Sequence, residues 1–443
     1  MSVISKRDKA VLFMNIWIGG TLLLFYAGPI DYSTCNKNYS LIYMLFFLLV
    51  SNFFYYLGVR QRVIHCRKRI RWNTNKIVHL SIVFGFTITL LYFLESAYRL
   101  GFSGFHISNI LQSMAQTYTD EKMYVFRISG WILSYTKAFR IIGLVLGMYY
   151  WPKLPRKEKV LVIATAAIIV IHNTAFAGSQ KELIDLVVYC VVPTLLRWTQ
   201  QDGGIRAHKS IILIAAGIGI VVFLGSAIAA RQVLWGNMFG GGWRVDADTN
   251  NWFYKLLPSS IRDAVLYLLS YLTQGYRGLA LCLELPFEWS IGMGGSFKIM
   301  NDVSRWFHIP LSVLENSYPV RMESTFGVGA YSAWHTIFPW IASDVTFFGA
   351  VFLVSLFVYY WGKSWKECFV TSSWIAPVMF THLTIFILYI PCNNQLFQTR
   401  DSIVASIMIF IFWYLFHGES ADLYISNESC KSDDLFISNE LGD

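Results

Sequence analysis

The chain alternates long apolar stretches with short polar connections along most of its length. Stretches that approach the roughly 20 apolar residues a membrane helix needs lie at 10–28, 41–58, 78–98, 131–150, 160–178, 182–198, 210–230, 345–362, 371–391 and 402–417. In lipid each segment has to satisfy its own backbone hydrogen bonds, which favours helices. The pattern therefore predicts an all-α polytopic membrane protein with about ten transmembrane helices.

The composition supports this prediction. Of the 443 residues, 55% are hydrophobic and 14% are charged, whereas a soluble domain carries about 25% charged residues. A water-soluble enzyme, a disordered protein and a transmembrane barrel are excluded on this basis. The seven cysteines have irregular spacing and no Cys-x-x-Cys pair, which argues against a disulfide framework and against a zinc site.

The positive charge is placed where it sets the orientation in the membrane. The net charge is +9, and seven Lys and Arg residues lie between Arg60 and Lys76. Short basic loops stay in the cytoplasm, so we expect both termini to be cytoplasmic. The charge then serves topology and contacts with anionic lipid headgroups rather than nucleic acid. The first apolar stretch is too long for a cleavable signal peptide and leads into Gly28 and Pro29 without a cleavage site.

The spacing of the apolar stretches divides the chain into four parts. Residues 1–230 hold seven spans, 231–344 form a large loop on the outer side, 345–417 hold three spans, and 418–443 form an acidic tail that we expect to be disordered and cytoplasmic. The large loop contains one more apolar stretch, 264–285, which includes Gln274 and Arg277. We interpret it as a re-entrant or interfacial element; the alternative is a pair of short spans, giving 11 or 12 in all.

Ionisable residues within the spans are the first candidates for function, because they are costly in lipid. Lys137 and Arg140 lie three residues apart in the fourth span and share one helix face. Two cations at this depth need an anion. That anion is either an acidic side chain (Glu95, Glu182 or Asp185) or the pyrophosphate of a lipid-linked substrate, and the two interpretations are compatible.

Two shorter signals lie at the outer ends of other spans. The turn from Ala177 to Glu182 contains Gly178, Ser179 and Lys181, and exposed N–H groups at such a helix start can hold an anion. A tight hairpin with an interfacial Lys explains the same residues. Arg231 follows a run of small residues at the end of the seventh span; a lone Arg there is usually an interfacial anchor.

The end of the large loop, residues 321–349, is the densest stretch of chemistry-bearing side chains. It mixes aromatic residues, which suit the C–H faces of sugar rings, with polar groups, and it contains His335. A histidine near neutral pKa can act as a general base or donate to a phosphate. The competing interpretation is an aromatic belt at the membrane interface with a capping His.

With these features together, the chain resembles the Wzy-type O-antigen or oligosaccharide repeat-unit polymerases, and more distantly the O-antigen ligases. The resemblance lies in the layout of spans around one large outer loop, in the Gly178-Ser179 turn, in Arg231, and in His335 followed by Asp344 and Gly349. It covers layout and short motifs only. The turn continues with Gln180-Lys181 where such proteins usually have Arg, which leaves open whether Lys181 serves in place of that Arg.

The resemblance implies a GT-C-like membrane glycosyltransferase in the bacterial inner membrane that polymerises repeat units on undecaprenyl diphosphate. The acceptor hydroxyl attacks the anomeric carbon of the donor, with inversion and without a metal or other cofactor. Expected partners are the lipid-linked donor and acceptor, a Wzz-type chain-length regulator and a repeat-unit flippase.

The resemblance also assigns roles to residues of the outer side. It implies His335 as general base, with Glu323 or Asp344 as rivals, and Arg231 and Arg277 as essential cations. The remaining candidates are expected to bind substrate: Lys137, Arg140, Lys181, Arg321, Trp334, Trp340 and Arg400. Alternatives are an O-antigen ligase or other lipid-linked-sugar glycosyltransferase, and a flippase or transporter, although the chain has no internal repeat.

Overall fold

The protein is described by a computed structural model that covers residues 8–61, 74–100, 128–177, 180–200, 246–292, 295–308, 315–331, 333–371 and 373–416. The longer helices of the bundle are α1 Lys9–Ala27, α2 Lys37–Arg60, α3 Thr74–Leu100, α4 Ile128–Tyr149, α5 Arg156–His172 and α6 Gln180–Gln200. A π-helical turn, Asn173–Ala177, continues α5, and a 3-10 turn, Trp151–Lys153, follows α4.

The second half of the chain adds seven helices and one strand of a two-stranded sheet. The helices are α7 Trp252–Leu256, α8 Ser259–Leu283, α9 Phe297–Phe307, α10 Tyr318–Phe326, α11 Phe338–Val370, α12 Ala376–Tyr389 and α13 Arg400–Phe416. The strands are β1 Ile30–Asp31 and β2 Asp246–Ala247, which pair antiparallel with Ile30 opposite Ala247. The described chain is thus almost entirely helical, as the apolar pattern predicts.

Five of these helices are long and apolar enough to cross a membrane: α1, α2, α3, α5 with its π-helical turn, and α11. Side chains such as Ile16, Leu49 and Phe84 remain exposed on them. Large apolar side chains facing outward suit contact with lipid tails. The protein is therefore a helical, membrane-embedded protein.

The helices alternate in direction, so their ends form two sides of the bundle. On the side of the β1–β2 pair, the "ladder side", Tyr43 near the start of α2 donates to Phe347 O at 2.8 Å. Ser96 near the end of α3 contacts His172 at the end of α5, at 3.0 Å. On the opposite side, Tyr149 at the end of α4 donates to Gln200 at 2.8 Å.

Both ends of the described chain lie on the side opposite the ladder. Tyr56 near the end of α2 donates to Asp8, just before α1, at 3.4 Å. Ser373, just after α11, donates to Phe416 O at the end of α13, at 3.2 Å. The start of the first helix and the end of the last helix therefore share one side, as the apolar pattern predicts.

The predicted span at 210–230, residues 101–127 and the tail at 418–443 lie outside the described residues. Their neighbours are placed: Gln200 lies on the opposite side, with its side chain 2.5 Å from Cys368 O, and Asp246 lies in the ladder. The chain thus leaves and re-enters the described structure on different sides.

Helix α8 contains the apolar stretch that we expect to be re-entrant or interfacial. It is one continuous helix of 25 residues, longer than the short helices expected in the large loop and not a pair of short spans. Its contacts are with ladder-side residues: Thr273 meets Tyr32 at 2.7 Å, and Ser40 donates to Tyr276 O at 2.5 Å. The helix crosses the ladder-side half of α1 and α2, where Tyr276 meets Thr21 at 2.8 Å.

Two predicted spans have different bounds in the structure. Helix α11 has 33 residues and begins before the predicted 345–362, with a break in helical geometry at Val345 and Thr346. Helix α12 has only 14 residues, about 20 Å at 1.5 Å per residue, which is shorter than the roughly 30 Å of a bilayer core. The chain after α12, residues 390–399, is non-helical, and half of its residues are buried.

Candidate functional site

Lys137 and Arg140 lie in a group of four charged side chains on the ladder-side half of the bundle, here called the ion-pair cluster, with Glu182 and Asp401. Lys137 Nζ is 2.7 Å from Glu182 Oε1 and 2.6 Å from Asp401 Oδ2. Arg140 Nη2 is 2.8 Å from Glu182 Oε2. The cluster joins α4, α6 and α13 through charge-assisted hydrogen bonds, which are the strong ones.

The charges of the ion-pair cluster balance. Two cations face two carboxylates, and the cations are the more buried partners, with Lys137 6% exposed against 32% for Asp401. The acidic side chain expected beside the two cations is therefore present: Glu182 was one of the three predicted candidates, while Asp401 was not predicted. The sequence offered no sign that α13 packs against α4, because the two residues are 264 positions apart.

The neighbouring Lys181 is also paired. Its Nζ lies 3.0 Å from Asp185 Oδ2, one helical turn along α6, and Asp185 is 3% exposed. Gly178 and Ser179 of the predicted anion-binding turn lie outside the described residues, as does Arg231. The described part of this turn thus presents a cation that already has a carboxylate partner.

Residues 327–331 and 333–337, the "His335 segment", lie without regular helix between α10 and α11, and two glycines of α8 make room for them. A Cβ on Gly278 would stand 2.6 Å from His335 Cβ and 2.7 Å from His335 Cα. A Cβ on Gly275 would stand 2.0 Å from Pro391 O and 2.9 Å from Thr336 N. The segment is therefore seated directly on the backbone of α8.

The His335 segment is held in an unusual backbone conformation. Thr336 has φ of 60°, which is rare for a β-branched residue and costs free energy. On its C-terminal side, Ile337 N donates to Ile390 O at 3.1 Å, and Thr336 forms an isolated parallel bridge with Asn393. The surrounding contacts therefore maintain a strained residue directly beside His335.

His335 is completely buried. Its Nε2 lies 2.9 Å from Ala330 O, and its ring meets the edge of Trp340 with centroids 5.5 Å apart. Its Nδ1 makes no hydrogen bond of acceptable geometry, although the backbone of Thr336, like that of Ala330, opposes the lowering of the pKa of the ring. Burial lowers the pKa of His335 to about 4, because the charged imidazolium loses its hydration. The imidazole is therefore neutral at physiological pH.

The two rival bases make different contacts. Glu323 Oε2 accepts from Ala330 N at 3.0 Å. Because Ala330 O lies 2.9 Å from His335 Nε2, Glu323 and His335 contact the two peptide groups of the same residue. Asp344 uses both carboxylate oxygens: Oδ1 accepts from Ser290 and Oδ2 accepts from Gly295 N at 2.8 Å. Asp344 thus ties the start of α11 to residues 290–295, away from the imidazole contacts.

The aromatic candidates are packed against protein groups. Trp340 is 1% exposed and stacks with Tyr331 at 6.0 Å between centroids. Trp334 is partly buried and meets Tyr271 edge-on at 5.1 Å. Of the two predicted sugar-stacking residues, Trp334 retains the more accessible ring in this conformation.

The arginine candidates lie apart from one another. Arg277 is 5% exposed on α8; it lies near Cys35, where burial raises the pKa of the thiol to about 11 against the opposing charge of Arg277. Arg321 donates to Pro286 O at 2.7 Å and pairs with Glu288 at 2.9 Å. Arg400 pairs with Asp302 at 2.6 Å and so attaches α9 to the start of α13.

The 390–399 segment connects the two groups of candidates. It contacts the His335 segment through Ile390 and Asn393, and it leads into Arg400 and Asp401 at the start of α13. Non-helical backbone inside a membrane bundle is tolerated only where protein or a water-filled cavity surrounds it. The spans predicted at 371–391 and 402–417 leave residues 392–401 as a connection, but its contact with the His335 segment was not predicted.

Two remaining features of the described ranges bear on metal and ligand binding. No group of three or more His, Cys, Asp and Glu side chains there could hold a metal ion. The gap between α3, α4 and α5, next to Gly85, Gly143 and Thr165, is too narrow to enclose a water molecule. It is therefore not a ligand pocket, since such pockets have about 300 Å³ or more.

Comparisons of the chain with protein-family models, with curated proteins and with solved structures gave no match.

Proposed function

We propose that this protein is a membrane glycosyltransferase that polymerises undecaprenyl-diphosphate-linked oligosaccharide repeat units at the outer face of the bacterial inner membrane. The observation that carries the proposal is a spatial one. The segment that carries Trp334 and His335 meets the segment that leads into Arg400, through the hydrogen bond between Ile337 N and Ile390 O. Non-helical backbone inside a membrane bundle needs protein or a water-filled cavity around it, and such a cavity can admit a substrate.

The chemistry of these residues suits transfer from a lipid diphosphate. The leaving group is already activated and carries negative charge, which cations of the same side can stabilise as it departs. Arg277, Arg400 and the undescribed Arg231 are the candidates for this role. The acceptor hydroxyl needs a base, and His335 is neutral and has one ring nitrogen without a partner. Trp334 offers a partly accessible ring beside it.

The reaction follows from these parts. The acceptor oxygen bonds to the anomeric carbon of the donor as its O–H bond breaks and the proton moves to the base. The bond from that carbon to the diphosphate oxygen breaks, and undecaprenyl diphosphate leaves with the electron pair. One direct displacement inverts the anomeric centre. The chain-length regulator and the flippase expected as partners act before and beside this step.

Disruption of the gene in its bacterium tests the proposal against its rivals. Loss of a polymerase leaves surface glycan carrying single repeat units. Loss of an O-antigen ligase leaves no repeat units attached and lipid-linked chains outside the membrane. Loss of a flippase leaves repeat units on the cytoplasmic side. A full ladder of chain lengths in the disrupted strain, unchanged when the intact gene is returned, would overturn the proposal.

A transporter of lipid-linked sugars is the second candidate, and one observation favours it. The ion-pair cluster, together with Lys181 and Asp185, places six charged groups inside the helix bundle, and intramembrane charges often mark transport pathways. The location of accumulated repeat units in the disrupted strain distinguishes this candidate from the polymerase.

A further inference from the structure

The peptide groups of one residue, Ala330, connect Glu323 with His335. The N–H of Ala330 donates to Glu323 Oε2 at 3.0 Å, and its carbonyl oxygen lies 2.9 Å from His335 Nε2. Ala330 is 2% exposed. Glu323 is exposed at the end of α10, so it reaches the buried imidazole only through this residue.

The contact with Ala330 decides where the imidazole proton sits. A backbone carbonyl can only accept a hydrogen bond, so Nε2 must be the donor and must carry the proton. A neutral imidazole has a single N–H, and Nδ1 therefore carries the lone pair. Nδ1 has no partner and the side chain is wholly buried. A buried acceptor without a partner is costly, which is expected where a reactive group is kept for a substrate.

The neighbouring residues hold the His335 side chain in place. Gly278 lies against His335 Cβ and Cα, and the Trp340 ring meets the imidazole. Thr336, the next residue, holds a positive φ and is bridged to Asn393. With the side chain held in this way, the hydrogen bond to Ala330 O selects the ring orientation that leaves Nδ1 as the lone-pair atom.

We propose that Glu323 is a positioning residue: it holds the Ala330 peptide, and this peptide keeps the His335 proton on Nε2 so that Nδ1 takes the proton of the acceptor hydroxyl. This assignment rests on the proposed function. The acceptor O–H bond breaks as its oxygen bonds to the anomeric carbon, and the proton passes to Nδ1. The diphosphate leaves with the electrons of the broken C–O bond, and Nδ1 later returns the proton to water.

The buried state of His335 fits a base that works only in the loaded enzyme. Its pKa of about 4 keeps Nδ1 unprotonated in the empty protein. The negative charge of a bound diphosphate raises the pKa of a nearby imidazole and so makes Nδ1 a better proton acceptor when the donor is present.

Two substitutions of Glu323 separate positioning from base catalysis. Glu323→Gln keeps a side-chain oxygen for the Ala330 N–H, so polymerised glycan in the complemented strain should stay within about threefold of the wild type. Glu323→Ala removes the acceptor and should lower it about tenfold or more, in line with a charge-assisted hydrogen bond. Glu315→Ala, at an exposed position, is the matched control. If the Gln variant falls as far as the Ala variant, the carboxylate itself is required and the inference fails.

The tautomer can be measured without any activity. Histidine labelled with ¹⁵N in the purified protein, with His335 assigned by its absence from His335→Gln, should give a protonated Nε2 and an unprotonated Nδ1 between pH 6 and pH 8. Glu323→Ala should give a mixture of tautomers. A protonated Nδ1 in the wild type would overturn the inference while leaving the polymerase proposal standing. If the wild type shows the expected tautomer but loss of the protein does not shorten the glycan, the polymerase proposal fails instead.

Discussion

The ion-pair cluster and the His335 segment both lie on the ladder side, and they satisfy their polar groups in opposite ways. In the cluster, Lys137 and Arg140 have carboxylate partners within 3 Å. In the His335 segment, the imidazole is neutral, one of its nitrogens has no partner, and the next residue is strained. The comparison shows that charge inside a membrane bundle can be structural, and it makes the unpartnered nitrogen of His335, beside a strained residue, the better candidate for chemistry.

The largest effect should come from removing one cation of the cluster. Lys137→Ala leaves Glu182 and Asp401 with Arg140 alone, and breaking a buried pair typically costs about 3–5 kcal/mol; partial exposure of the two acids puts the loss near the lower value. We expect little folded protein in detergent extracts, measured by size-exclusion chromatography.

A charge-balanced double variant sharpens this prediction. Lys137→Met with Asp401→Leu leaves Arg140 paired with Glu182 and should restore most of the folded protein, because replacing a buried pair by apolar groups is often neutral. Lys157→Ala, at an exposed position, is the control. If Lys137→Ala yields normal amounts of folded protein without activity, the cluster binds substrate, and its proposed structural role is wrong.

The next effect is a pH dependence carried by His335. The folded pKa of about 4 lies below the unfolded value of 6.5, so the unfolded state binds a proton first as the pH falls. Stability is complete above pH 6.5 and declines toward pH 4, by up to about 3 kcal/mol. The thermal midpoint in detergent should fall less steeply over this range in His335→Gln than in the wild type.

The exposed His308 provides the control for this measurement. His308→Gln should keep the wild-type dependence, since the cause is burial. Equal slopes for the wild type and His335→Gln would mean that His335 is hydrated in solution, contrary to its position here.

A smaller effect should follow from filling the seat of the His335 segment. Gly278→Ala places a methyl group 2.7 Å from His335 Cα and 2.9 Å from Trp334 O, which forces the backbone to move at a cost of about 1–3 kcal/mol. We expect a lower thermal midpoint and an altered His335 NMR signal. Gly20→Ala, where nothing lies within 4 Å, should change neither; an unaltered His335 signal in Gly278→Ala would contradict the seating.

The last prediction concerns which side of the bundle lies outside the cytoplasm. The reporter fusions that test it should leave stability unchanged. A reporter that folds only outside the cytoplasm should be active when fused after Gly242 and inactive when fused after Lys153. Residues near Gly242 lead into the ladder at Asp246, whereas the turn at Lys153 follows α4 on the opposite side. The reverse pattern of activity would place the ladder side in the cytoplasm and remove the proposed site from the outer face.

The apolar pattern predicted most of the fold. Nine of the ten predicted spans overlap a described helix, because the length of an apolar stretch directly reflects a helix in lipid. It extended α12 too far, since the chain stays apolar up to Pro391 while the helix ends at Tyr389. Composition carries no information about where a buried segment leaves the helix.

The site was harder to predict, for two physical reasons. Asp401 pairs with Lys137 across 264 positions, and the period of one helix does not reveal which helix packs beside it. The polar and aromatic residues around His335 suggested a sugar-binding segment or an aromatic belt at the membrane interface. Its burial depends on the absence of side chains at Gly275 and Gly278 of α8, a contact between segments that only the folded structure reveals.

The most direct test of the account complements the disrupted strain with two variants and compares glycan length at matched protein levels. The account predicts that Lys137→Met with Asp401→Leu restores long chains, because the ion-pair cluster holds the bundle together. It predicts that His335→Gln, which keeps a donor toward Ala330 but lacks the Nδ1 lone pair, leaves single repeat units. Long chains with His335→Gln, or none with the folded double variant, would contradict the account.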